Sequence, residues 1–194
     1  MKTNTWDDHY TRKARKEGYP ARSVYKLEEI QKRCSVLRRG SKVLDLGCCP
    51  GAWLQFASRA VGRTGLIVGV DIIELKNPMP SNVRFVCADA LTIKERVPEE
   101  LGGRFDTILS DMAPKTSGNK FVDTQRSLAL CGAAFDLCAA CLKPKGAFVC
   151  KLFFGDGFDE FTKVIKEQFK KVKLIRPKST RKASREIYVI AKRG

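Results

Sequence analysis

Apolar and polar positions along this chain follow two alternating periods. Short apolar runs of the kind that form buried strands occupy residues 42–46, 65–71, 83–88, 105–110 and 146–154. Between them, apolar positions recur at helical spacing. Val24, Leu27, Ile30 and Cys34 share one face of a helix predicted over 22–34, and Phe158, Phe161, Val164, Ile165 and Phe169 share one face over 158–169. Further helices are predicted over 52–60, 92–97 and 123–142, the last ended by Lys143-Pro144 and Gly146. Two final strands, 171–176 and 186–191, have no helix between them. Their link, R-P-K-S-T-R-K-A-S, is shorter than the roughly dozen residues a parallel crossover needs, so they pair antiparallel. The pattern predicts an α/β fold with a mostly parallel seven-stranded sheet, an antiparallel C-terminal strand and helices on both faces.

The chemistry gathers at one end of that sheet. The first strand runs into V-L-D-L-G-C-C-P-G-A-W, residues 43–53. Gly47 and Gly51 let the backbone approach a ligand closely, and the amides at the start of the following helix attract an anion. The string lacks G-x-G-x-x-G, and Pro50 has no N–H to donate, which disfavours pyrophosphate and nicotinamide dinucleotides. No Walker loop occurs either. A single carboxylate, such as that of an amino-acid ligand, still fits. Three later apolar runs finish at Asp71, Asp89 and Asp111, at the strand ends where open α/β sheets bind ligands. Asp71 suits ribose hydroxyls, and Asp89 an exocyclic adenine amine. Lys151 interrupts F-V-C-K-L-F-F, an otherwise buried strand, and an unpaired buried lysine is costly, so a working role is expected for it.

Charge changes the picture. Lys and Arg number 37 against 21 Asp and Glu, a net charge of +16. Residues 1–42 carry 12 basic and 5 acidic groups, residues 163–194 carry 12 and 2, and the stretch between carries 13 and 14. All the excess sits on the two flanks, an arrangement suited to a polyanion. Arg12, Lys13, Arg15, Lys16 and Arg22 on the N-terminal arm, with Arg176, Lys178, Arg181, Lys182 and Arg185 near the last link, are expected to track the phosphates of such a polyanion. Tyr10 and Tyr19 either stack on bases or anchor the arm.

Composition narrows the rest. No apolar run approaches the about 20 residues that span a bilayer, and the N-terminus has no signal-peptide centre, so a cytoplasmic protein without a membrane partner is expected. Cys138 and Cys141 form a C-x-x-C inside a helical segment with no matching second pair, and His9 is the only histidine. No metal site is expected, and the eight cysteines read as small core residues, with Cys48 and Cys49 filling space in the turn. The length suits a single domain, 1–194, in which 1–40 form a basic arm and helix. No long exposed apolar segment calls for a dimer, so a monomer is expected.

The motifs A-R-S-V-Y-K-L, D-L-G-C-C-P-G-A-W, S-D-M-A-P, V-C-K-L-F and S-R-E-I-Y-V-I-A run in that order along nearly the whole chain. Together they resemble the FtsJ-type ribosomal RNA 2′-O-ribose methyltransferases. The resemblance implies a Rossmann-like methyltransferase fold and S-adenosylmethionine as cofactor. It also implies transfer of a methyl group to a ribose 2′-hydroxyl, with a uridine of large-subunit ribosomal RNA as leading target and tRNA ribose as competitor. It implies a catalytic tetrad of Lys26, Asp111, Lys151 and Glu186. For the cofactor it implies Gly47, Pro50, Gly51 and Trp53 around the methionine part, Asp71 at the ribose and Asp89 at the adenine, with Asp111 serving cofactor and tetrad alike. The chain departs from the family pattern at Cys48-Cys49, at Ala52 and Leu54, and at Lys115 after S-D-M-A-P.

The chemistry asks for such residues. Methyl transfer from a sulfonium needs the acceptor oxygen aligned with the methyl and relieved of its proton. Lys151 supplies either a base or a nearby positive charge, and the residues alone leave that choice open. A neutral lysine there requires burial or a second cation such as Lys26, and Asp111 and Glu186 would orient the amines. A catalytically silent RNA-binding assembly factor on the same fold is the alternative, and the intact tetrad argues against it.

Overall fold

A computed structural model of the protein describes residues 9–93 and 101–194. The described elements are, in chain order, α1 (His9–Lys16), α2 (Val24–Cys34), β1 (Lys42–Leu46), α3 (Ala52–Val61), β2 (Leu66–Asp71), β3 (Val83–Cys87), β4 (Phe105–Ser110), α4 (Lys120–Cys141), β5 (Leu142–Phe153), α5 (Phe158–Gln168), β6 (Lys171–Ile175) and β7 (Glu186–Lys192). The helix predicted over 92–97 lies, beyond Ile93, outside the described residues.

The strands form one sheet in the order β3-β2-β1-β4-β5-β7-β6. β3 through β5 in that order are mutually parallel, while β7 runs antiparallel to both β5 and β6. The chain builds outward from β1 to β3, then returns to place β4 on the other side of β1. The order therefore reverses between β1 and β4, and open α/β sheets bind ligands beyond the strand ends at such a switch point.

Period-two alternation along the strands feeds two cores. Leu27 and Ile30 of α2 and Trp53, Leu54, Ala57 and Val61 of α3 pack with Val43, Ile67, Val149 and Tyr188 on one face. On the other, Cys131, Phe135 and Cys138 of α4 and Phe158 and Ile165 of α5 pack with Leu44, Ile108, Phe148 and Cys150. Phe148 and Phe169 stack there with ring centres 6.2 Å apart. Six of the eight cysteines are buried, Cys49 is half-buried and Cys87 is exposed at the end of β3.

Three local features differ from the sequence expectation. The polar stretch before residue 17 contains helix α1, of which only Ala14 is buried. It is held by side chains rather than by an apolar face: Tyr10 packs on Tyr25 with ring centres 5.5 Å apart, and the Lys13 ammonium lies 4.3 Å from the Tyr25 ring centre. Helix α4 begins at Lys120 rather than at residue 123, because the Asn119 side chain accepts from the amides of Phe121 and Val122 and caps the helix there. Strand β5 begins at Leu142, directly after α4. Leu142 pairs with Phe105, and the register then shifts so that Ala147 pairs with Thr107, leaving residues 143–146 between the two pairs.

Candidate active site

The turn after β1 is shaped by two glycines. Gly47 has φ +73°, and a Cβ there would lie 2.6 Å from Met112 Cγ and 3.1 Å from Met112 Cα. The loop after β4 thus passes directly against the turn, and only glycine allows it. Gly51, with φ +102°, is the residue before α3. The first amides of α3 have no acceptor within the helix and carry its positive dipole end. Asp71, at the end of β2, holds this turn in place: its Oδ2 accepts from the Cys49 amide at 2.8 Å and its Oδ1 from the Ile73 amide at 3.0 Å. Asp89 is exposed and accepts from the Leu91 amide at 2.9 Å. Both carboxylates keep further lone pairs for a ligand. Ile72, Ile73 and Leu91 are exposed apolar side chains beside them.

Trp53 is placed differently from a side chain lining a cleft. Its ring is buried among α2 and Tyr188, and its indole N–H donates to the Ser23 carbonyl at 2.8 Å. Any donation from Trp53 to a ligand falls to its backbone amide. Pro50 follows a cis peptide bond.

Sequence reasoning passes over Asp45. It is the fourth of the five residues of β1, fully buried, and neither carboxylate oxygen has a hydrogen-bond partner among the described residues. Burial, with Asp111 and Asp71 adding like charge, pushes its pKa well above the usual carboxylate range. The signal was present in K-V-L-D-L, where an aspartate interrupts a buried strand as Lys151 interrupts another.

The four predicted tetrad residues come together at the same end of the sheet. Lys151 and Tyr188 face each other across β5 and β7, and Glu186, two residues along β7, shares Tyr188's side of the sheet. The Lys151 side chain is 5% exposed. Its Nζ lies 3.0 Å from Asp111 Oδ1 and donates to the Asp111 carbonyl at 2.5 Å. Lys26 Nζ, from α2, donates to both Glu186 oxygens at 3.0 Å. The Tyr188 hydroxyl donates to Asp111 Oδ1 at 2.6 Å, and Lys26 Nζ lies 5.8 Å from the Tyr188 ring centre. Burial works to raise the Asp111 pKa, but Lys151 and Lys26, with the Tyr188 hydroxyl, bring it below the ordinary value. Tyr188 itself is held well above its ordinary pKa by burial and by Asp111, so it stays a neutral donor. In a strand rich in Ile, Val and Ala, such a tyrosine reads as core.

The basic residues divide by where their donors point. Arg176 Nη2 turns inward to the carbonyls of Arg181, Lys182 and Ser184, and Arg185 ties the Lys120 and Phe154 carbonyls and Thr124 Oγ1. These two brace loops. Arg22 Nη2 donates to the Ser179 carbonyl at 2.5 Å, and Lys13 lies 3.7 Å from Glu17. Arg12, Arg15 and Lys16 lie on α1, and Lys178, Arg181 and Lys182 are exposed on the β6–β7 loop. Tyr10 and Tyr19 take the anchoring role: Tyr10 packs on Tyr25, and the Tyr19 hydroxyl accepts from Arg59 at 2.9 Å. Lys115 is exposed on the loop after β4.

A sheet reversed at β1 and β4, an anion-receptive turn and, beside it, a buried lysine paired with a carboxylate and a second, half-buried pair place this protein among the Rossmann-like methyltransferases. The chain belongs to the FtsJ-like methyltransferase family, whose sequence model matches residues 19–194. It is similar to a protein named ribosomal RNA large subunit methyltransferase E in Desulfatibacillum aliphaticivorans, with 52% identity over 187 residues, 96% of this chain and 90% of that protein. A protein of the same name from Desulfosudis oleivorans is 48% identical across 94% of this chain and 88% of its own length. Among solved structures, a putative ribosomal RNA methyltransferase from Plasmodium falciparum superposes with a TM-score of 0.80 at 28% identity, covering 90% of this chain and 98% of that one.

Proposed function

We propose that the protein methylates the 2′-hydroxyl of a ribose in large-subunit ribosomal RNA, a uridine by the family resemblance, and that S-adenosylmethionine is the donor. The reading draws support from the names of the relatives, from the excess positive charge on both flanks, and above all from Lys151. That lysine is buried, bound by Asp111 and set beside the Gly47 turn. Both cores share one sheet, so we read residues 1–194 as a single methyltransferase domain.

The residues suit that donor. Gly47 and Gly51 make a cradle that a Cβ would fill, with amides for a carboxylate. Asp45, buried without a hydrogen-bond partner among the described residues, suits a cation, and the methionine part of the donor carries an ammonium. Asp71 suits the ribose hydroxyls and Asp89 the adenine amine, with Ile72 and Leu91 giving apolar surface for the base. When bound, S-adenosylmethionine supplies an electrophilic methyl on a sulfonium.

The chain's own residues handle the hydroxyl. Lys151 takes the 2′-hydroxyl proton on its amine lone pair as the oxygen gains its bond to carbon. Asp111 orients Lys151, and Tyr188 fixes the Asp111 carboxylate. Lys26, oriented by Glu186, meets the negative charge that develops on the oxygen. Incubation with methyl-labelled donor and unmodified RNAs tests the function. Label is expected in large-subunit ribosomal RNA; label confined to tRNA, or to none, contradicts the proposal.

A further inference from the structure

Next to the Lys26–Glu186 pair lies a cavity of about 360 Å³, walled by Arg22, Lys26, Ser179, Arg181, Ser184 and Glu186. Its chemistry is that of a built anion site. The Ser179 hydroxyl is buried, with the residue only 3% exposed, and has no hydrogen-bond partner among the described residues. Arg22 and Arg181 sit close enough that the Arg181 charge, after burial itself, lowers the Arg22 pKa, with Glu186 opposing. Glu186 spends both oxygens on Lys26. Ser23, which precedes α2, also lines the cavity.

The walls are held before any ligand arrives. Arg176 gathers three carbonyls of the β6–β7 loop, the Lys178 amide donates to Glu29 of α2 at 2.7 Å, and Arg22 is tied to the Ser179 carbonyl. A preorganised pocket with two guanidinium groups and a waiting hydroxyl suits the paired oxygens of a phosphate.

We infer that this cavity seats the phosphodiester on the 3′ side of the target ribose, an inference that rests on the RNA reading above. The 3′-phosphate hangs from the sugar carbon adjacent to the one bearing the 2′-hydroxyl. A hydroxyl directed at Lys151 and Lys26 therefore leaves that phosphate as the nearest one to the wall which Lys26 and Glu186 share with the cavity. Phosphate contacts set register rather than sequence, so the seat decides which ribose reaches the amines.

Steady-state kinetics and salt titrations on the full chain test this. Arg181→Gln is expected to raise KM for RNA about tenfold and to reduce the salt slope of RNA binding by about one, with donor affinity unchanged. Ser179→Ala should raise KM less and leave the salt slope as it is, whereas Ser179→Asp should raise KM at least as far as Arg181→Gln does. An RNA carrying a neutral methylphosphonate at the 3′ linkage of the target should lose the same factor with wild-type protein and lose no more with Arg181→Gln. Additive losses, or an equal loss from a 5′ methylphosphonate, would overturn the seat. So would inhibition by inorganic phosphate without any methylphosphonate penalty, which assigns the cavity to a free anion. If wild-type protein transfers no methyl to any RNA, the proposed function fails; if it transfers normally and the variants match it in KM and slope, only the seat fails.

Discussion

Lys151 and Asp45 each place a charged residue inside an apolar strand, and the structure gives them opposite surroundings. Lys151 meets a carboxylate, a carbonyl and a tyrosine-anchored partner. Lys151→Ala is expected to cut turnover at least about 100-fold while donor binding by calorimetry stays intact. Lys151→Arg should stay inactive too, because a guanidinium keeps the charge but takes up no proton. Tyr188→Phe removes the hydroxyl from Asp111 and should cost about 1–3 kcal/mol in denaturant unfolding, since a charged acceptor loses one of its two donors and keeps Lys151. The Asp45 carboxylate has no hydrogen-bond partner among the described residues. Its folded-state pKa lies well above 3.8, so the folded chain keeps that proton to higher pH than the unfolded chain does. Stability from this group therefore falls as pH rises above about 3.8. Asp45→Asn should thus melt higher than wild type, by a margin that is absent in acid and grows with pH, while donor affinity drops about tenfold or more. Lys151 was legible in the sequence because a cation in a hydrophobic run has no bland explanation. Asp45 carried the same signal but lay inside a turn motif that drew attention to its glycines, and Tyr188 was hidden because an aromatic in a strand is ordinary core.

At the scale of elements, the strand pattern was legible nearly residue by residue, because β1 and β4 are buried on both faces and bounded by turns. The antiparallel end followed from a link too short to cross over, and β6 and β7 pair in that sense. Helix α1 was not legible, since its stability comes from Tyr25 and Glu17 outside it rather than from an apolar stripe. Nor did charge alone show that Arg176 and Arg185 turn inward to carbonyls. The β1–α3 turn is where an element carries the most function per residue. Gly47→Ala forces a left-handed backbone on a residue with a Cβ, costing about 1–2 kcal/mol, and drives that Cβ into Met112. Thermal unfolding should fall accordingly, and donor affinity should fall further than stability, because the turn and the Asp111 loop must part to make room.

Across the whole molecule, a nearly neutral centre lies between two strongly basic flanks. Those flanks meet in space: Arg22 from the first and Ser179 from the last bond to each other beside the tetrad. RNA association should therefore weaken steeply with salt, log K falling linearly with log salt concentration, while donor affinity stays nearly flat; a salt-independent RNA affinity would contradict that charge reading. The central claim is that the transferred methyl ends on a ribose oxygen through Lys151. The most direct test is alkaline hydrolysis of RNA labelled by the wild-type protein and by Lys151→Ala. The account predicts that label from the wild type appears in an alkali-resistant dinucleotide, since a blocked 2′-oxygen cannot attack the neighbouring phosphate, and that Lys151→Ala yields none. Label released in mononucleotides, or equal label from both proteins, would contradict it.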